Sequence, residues 1–132
     1  MAIMKAKLLS TNGTYLEALL EIEGHEYCVM DELTLDIDNM PKAGEPFEFE
    51  FSNMLDEVES WESIFQGNPE KKKCLEQIDG WKYKAYGQIT SINPVKVDCG
   101  VLVEEDVIHT HDPAVIGEYI AFTISRLGGY AI

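Results

Sequence analysis

The chain is poor in basic charge. Ten Lys and Arg stand against 24 Asp and Glu, for a formal net charge of −14, and Arg126 is the single arginine. That balance disfavours nucleic acid, whose phosphates are held chiefly by Lys and Arg. The one basic run, Lys71-Lys72-Lys73, falls short of the patch or stripe that such binding requires. Apolar runs are short as well, and none approaches the ~20 residues of a membrane helix, so no membrane association is expected. Cysteines are few and odd in number: Cys28, Cys74 and Cys99, with no C-x-x-C pair. A fully paired disulfide framework is excluded and a reducing compartment fits. The segment Met1-Ala2-Ile3-Met4-Lys5 lacks the apolar core of a signal peptide, so the cytoplasm is the expected location. No serine sits in a G-x-S-x-G elbow. Gly128-Gly129 has no helix after it to bind an anion, so a phosphate loop is missing too.

What remains is globular. The length of 132 residues, with 45% hydrophobic and 10% aromatic content, predicts one domain over 1–132 with its own core. The acid is unevenly spread. From Glu17 to Glu62 there are fifteen Asp and Glu against one basic residue, Lys42. From Ser63 onward nine acidic residues face seven basic ones.

The chain reads as mostly β. Ile3 to Leu9 is a first strand, followed by the hairpin signal Asn12-Gly13. Tyr15 to Ile22 alternates at Leu16, Ala18, Leu20 and Ile22 and is read as a strand, although its helix propensity is also good. Gly24 turns the chain into Glu26 to Met30. Phe47, Phe49 and Phe51 alternate with Glu48 and Glu50, one face buried and one wet. Asn53 to Gln66 changes period: Met54, Val58, Trp61 and Phe65 recur at helical spacing. It is read as an amphipathic helix with an acidic face, capped by Ser52 and ended by Gly67. Glu70 to Ile78 has two readings: a short second helix begun by Asn68-Pro69, or, slightly favoured, a strand that Asp79-Gly80 turns as a hairpin into a long strand from Trp81 to Ile92. Val95, Val97, Cys99 and Val101 share a face of the next strand, with Gly100 at a bulge. Glu104 to Pro113 is read as a polar connection. Tyr119 to Leu127 is the last strand, and Gly128-Gly129 releases a tail. Seven or eight antiparallel strands with one helix and no βαβ rhythm predict a small barrel-like domain.

The stretch Tyr86-Gly87-Gln88-Ile89-Thr90-Ser91-Ile92, continued by Val95 to Gly100, resembles the strand pair that opens many OB-fold barrels. Ile116-Gly117-Glu118-Tyr119-Ile120-Ala121-Phe122 resembles the strand that closes them. The resemblance implies an OB-like small barrel and, with it, an oligonucleotide or small-ligand face. The chain departs from the nucleic-acid-binding members in lacking their basic groove.

Three constellations compete for function. Glu48, Glu50, Asp56, Glu57, Glu59 and Glu62 carry the acid that would meet a basic protein partner, since a field of that sign steers cations inward. Trp81 and Tyr83 share one face of their strand, with Tyr86, Lys82 and Lys84 on the other; aromatics beside lysines would form a stacking platform for a ligand, although the favoured reading has Trp81 and Tyr83 fill the core. His109 and His111, two apart with Asp112 following, would share a metal such as zinc if the fold supplied a further ligand from Asp106 or His25. The ordinary reading of that segment is a polar loop with an Asp-Pro turn. No cofactor is otherwise indicated, and no constellation marks an enzyme. The first expectation is a non-catalytic acidic binding module of the inhibitor or immunity type. The alternatives are an OB-like ligand-binding barrel and a metal-dependent enzyme on His109 and His111.

Overall fold

A computed structural model describes residues 4–35, 38, 40–56 and 59–132. The chain is mainly β and forms two compact units. The first comprises 1–54, 77–82 and 125–132, and the second comprises 55–76 and 83–124. Each unit holds twelve Asp and Glu against five Lys and Arg, for a net of −7. The acidic first half of the sequence therefore does not become an acidic half of the fold.

The first unit is a closed barrel of five strands in the order β1-β2-β3-β11-β4. These are β1 (Met4–Thr11), β2 (Glu17–Ile22), β3 (His25–Asp31), β4 (Pro46–Phe51) and β11 (Gly128–Ala131). Alternation decides which side faces in. Ala6, Leu8, Ala18, Leu20, Ile22, Val29 and Phe49 are buried, while Lys5, Lys7, Glu17 and Glu48 between them are exposed. Five strands enclose only enough space for side chains.

β11 corrects the sequence reading of a tail after Gly128-Gly129. Gly129 pairs with Phe51 on β4 and, in parallel, with Asp31 on β3. Glycine is depleted in strands, but here the lack of a side chain is required. A Cβ on Gly129 would run into the ring of Phe49, which is fully buried. The β3–β11 pairing is also a parallel exception to the expected antiparallel pattern.

Beside it in the barrel wall, Asp31 is fully buried. Its Oδ1 accepts from the Leu33 N–H at 2.7 Å and the Thr34 N–H at 3.0 Å. Its Oδ2 accepts from the hydroxyl of Thr34 at 3.2 Å and from that of Thr11. A buried carboxylate needs such donors to replace water.

A six-stranded sheet in the order β5-β10-β7-β8-β9, with β6 also paired to β7, supplies most of the second unit, while the ends of β5, β6, β7 and β10 fall in the first. The strands are β5 (Met54–Leu55), β6 (Cys74–Asp79), β7 (Lys82–Ser91), β8 (Lys96–Asp98), β9 (Val103–Glu105) and β10 (Tyr119–Arg126). The three segments resembling OB strands fall here, as β7, β8 and β10, with β7 bonded to both others. The closed barrel is the other unit. Tyr83, Ala85, Ile89, Val97, Cys99, Ile120, Phe122 and Ile124 are buried, and so are Ala121 and Thr123 on the opposite face of β10. Asn68, also buried, ties the loop over that face in place. Its amide donates to the carbonyls of Lys72 at 2.9 Å and Ile120 at 3.2 Å.

Two further expectations need correction. The long helix over 53–66 is only α1 (Trp61–Gln66), capped by Ser60, whose Oγ accepts from the Ser63 N–H at 3.1 Å. Its buried residue is Ile64, and Trp61 from the expected stripe is exposed. Val58 of that stripe lies outside the described residues. Met54-Leu55 are held extended because the strand-edge hydrogen bonds of β10 compete with helix propensity: the Asp56 N–H donates to the Thr123 carbonyl at 3.1 Å. Within the expected polar connection from Glu104, β9 pairs Glu105 with Lys96. Among the described residues no helix is long and apolar enough to cross a membrane.

Candidate functional site

The outer face of the β2–β3 hairpin gathers three carboxylates, Glu17, Glu21 and Glu26. Glu23 and Gly24 turn the chain, with φ of 52° and 82°. Two consecutive positive φ values match the twist of a two-residue hairpin. That turn fixes the register: Ile22 lies opposite His25, and Glu21 opposite Glu26. Because Ala18, Leu20 and Ile22 point into the barrel, Glu17, Leu19 and Glu21 point out. Cys28, opposite Leu19, joins them. A half-buried Leu19–Cys28 patch is thus flanked by Glu17 at one end and the facing pair Glu21 and Glu26 at the other. Lys7 of β1 lies opposite Glu21 on its other side. None of Lys7, Glu21 and Glu26 forms an ion pair among the described residues. Cys28 is a poor nucleophile: burial pushes its thiol up to about 11, and the Glu17 carboxylate adds to the shift.

Sequence reasoning missed Glu21 and Glu26 as a pair. The signal was present, since a two-residue turn at Glu23-Gly24 places 21 against 26.

The carboxylates singled out from the sequence divide between the units. Glu48 and Glu50 lie on β4 in the first. Glu48 pairs with Lys5 at 3.8 Å. Glu50 accepts from the Tyr130 hydroxyl at 2.8 Å, a bond that raises the phenol's pKa. Asp56, Glu59 and Glu62 belong to the second unit. Asp56 and Glu62 are exposed. Glu59 is engaged internally: it accepts from the Thr123 N–H at 3.0 Å and hydroxyl at 2.6 Å, and meets Lys84 at 3.7 Å. Its carboxylate thereby covers an edge position of β10. Glu57 lies outside the described residues.

The aromatic residues are not gathered on one open face. Tyr83 is 3% exposed and belongs to the core. Trp81 is half-buried in the turn before β7. Tyr86 points to the other face, where the Lys72 ammonium lies 4.9 Å from its ring centroid. Burial and the nearby Glu76 raise its pKa. The basic run is occupied within its own unit. Lys72 pairs with Glu76 at 3.2 Å and Glu70 at 3.8 Å, and Lys73 with Asp98 at 3.2 Å. Lys71 sits 5.9 Å from the Tyr119 ring centroid.

His109 and His111 are exposed and line a cleft of about 180 Å³ in the second unit, together with Asp106. His111 Nδ1 lies 2.8 Å from Asn93 Oδ1. Asp112 does not join them: its Oδ1 accepts from the Ala114 N–H at 3.0 Å and caps the 3-10 turn Pro113–Val115. His25 is on β3 of the first unit. Among the described residues no three His, Cys, Asp or Glu gather in a way that could hold a metal ion. Set against protein-family models, curated proteins and solved structures, the chain matches none of them.

Proposed function

We propose that the protein is a non-catalytic acidic binding module whose β2–β3 outer face receives a basic protein partner, as an inhibitor or immunity-type protein would. The observation that carries this reading is the direct opposition of Glu21 and Glu26. Facing like charges destabilise a sheet, by up to about 1 kcal/mol. A partner's Lys or Arg seated between them converts that repulsion into two attractions. The Leu19–Cys28 patch beside them supplies apolar area that charge alone does not.

The net of −7 on each unit extends the field beyond this face. Such a field raises association rates and makes them depend on salt. The other two readings draw less support. A stacking platform needs Tyr83, which is in the core, and a metal enzyme needs ligands that do not converge.

The test compares the wild type with Glu21→Lys and Glu26→Lys in partner capture at low and high salt, alongside thermal stability. Glu26→Lys relieves the repulsion, so its stability rises; Glu21→Lys trades that repulsion for an opposition with Lys7, so its stability stays near the wild type. Both lower the capture of basic partners. Captured partners that are neutral or acidic, held with no dependence on salt, would sink the proposal.

A further inference from the structure

The cleft beside the histidines has its own chemistry. Its floor is apolar: Val95 and Ile108 are 2% and 4% exposed. Its rim is polar and carries Asn93, Asp106, His109 and His111. Asn93 and Asp106 hold φ of 62° and 60°, values that residues other than glycine adopt seldom. The Asp106 N–H donates to the Val95 carbonyl at 3.0 Å, which fixes the acid at the rim. None of the ion pairs among the described residues uses its carboxylate.

His111 Nδ1 meets the Asn93 side-chain oxygen at 2.8 Å. With that oxygen accepting, Nδ1 carries the proton, and in the neutral ring Nε2 keeps its lone pair. The rim therefore offers hydrogen-bond acceptors and one negative charge above an apolar floor.

Size narrows the ligand. Small-molecule sites run to roughly 300–1,000 Å³, so about 180 Å³ is too small for a nucleotide or a comparable ligand. A cleft of that size suits a short alkyl stem with one polar head. A metal would need a third ligand, which is lacking among the described residues.

We propose that this cleft binds an alkylammonium group, with its stem against Val95 and Ile108 and its head at Asp106 and His111. The group would belong either to a free short amine or to a lysine side chain. The inference does not rest on the hairpin reading. The two sites lie in different units and fail separately.

The test is an amide NMR titration with n-butylamine, using n-butanol as the uncharged control. Butylamine shifts the signals of Asn93, Val95 and 106–111, and butanol does not. Asp106→Asn weakens the binding about five-fold, the upper range for a partly exposed ion pair. His111→Ala weakens it too, and in both variants the signals away from the cleft stay in place. A blocked lysine, Nα-acetyl-lysine methylamide, identifies the source. If it binds as well as butylamine, the cleft takes a protein side chain; if it binds more weakly, the cleft takes a free amine. Equal shifts with butanol, shifts that do not map to the cleft, or an Asp106→Asn variant that binds like the wild type would overturn the proposal. So would zinc chloride shifting the histidines while butylamine leaves them unmoved.

Discussion

Removing the Asp31 carboxylate should damage the barrel more than any surface change. Asp31 is fully buried and is the acceptor for two backbone N–H groups and two hydroxyls. In Asp31→Ala the hydroxyls can turn elsewhere; Thr34 already has Thr14 within 2.6 Å. The N–H groups of Leu33 and Thr34 cannot turn. Each orphaned donor costs about 1–3 kcal/mol, so the expected loss is about 4 kcal/mol. Asp31→Asn is the discriminating control. Its remaining oxygen still accepts from both N–H groups, and its amide can donate to the two hydroxyl oxygens. Only the charge assistance is lost, at about 1 kcal/mol for each N–H bond, or about 2 kcal/mol in all. Urea unfolding measures both losses, and hydrogen exchange at Leu33 and Thr34 locates them. With a slope of about 1.5 kcal/mol per molar urea, the alanine variant moves the midpoint by more than 2 M. An alanine variant within about 1 kcal/mol of the wild type, or an asparagine variant worse than alanine, would refute the reasoning.

Three more expectations follow from particular residues. Gly129→Ala should lose about 1–3 kcal/mol by overpacking, and Phe49→Leu in the same chain should recover part of it. Strictly additive losses in thermal melts would show that the ring and the glycine do not compete for space. The thiols should react slowly in the native protein. Cys28, pushed up to about 11 from 9.0, holds about a hundredfold less thiolate near pH 8 than an ordinary cysteine. Burial also pushes up Cys74 and Cys99. Rapid labelling by Ellman's reagent before urea is added would contradict this. Asp98 is held below the ordinary carboxylate range, first by the Gly100 N–H at 2.9 Å and then, against the opposing effect of burial, by Lys73. Its folded pKa is depressed, so its stabilisation is present above the unfolded value near ~3.9 and disappears as pH falls through the folded one. The gap in melting temperature between wild type and Asp98→Asn should therefore close below about pH 4. A gap of constant width would rule out that linkage.

Much of the fold was legible where local pattern and tertiary need agree. Phe47, Phe49 and Phe51 announced β4, while Asp79-Gly80 tipped 70–78 only slightly from a short helix toward the β6–β7 hairpin that forms. Gly128-Gly129 misled because its strand has a tertiary cause: the space is taken by a ring brought from β4, nearly eighty positions earlier. The segment from Met54 misled for a similar reason. Its apolar spacing suits a helix, but β10 offers a strand edge, and Asp56 and Glu59 bind it. The candidate site was half legible. The acid was visible in the composition, but the pairing of Glu21 with Glu26 depends on a register that only the turn fixes.

The position of β11 in the chain has a consequence for synthesis. β3 and β4 emerge from the ribosome early, each lacking the neighbour that closes the barrel. The whole of the second unit must be translated before residues 128–131 arrive to fill the gap. For that interval the nascent chain carries two open strand edges, which are templates for pairing with other chains. Polysomes making this protein should therefore be a point of demand for chaperones, and slow translation of the second unit should lower the yield of folded protein.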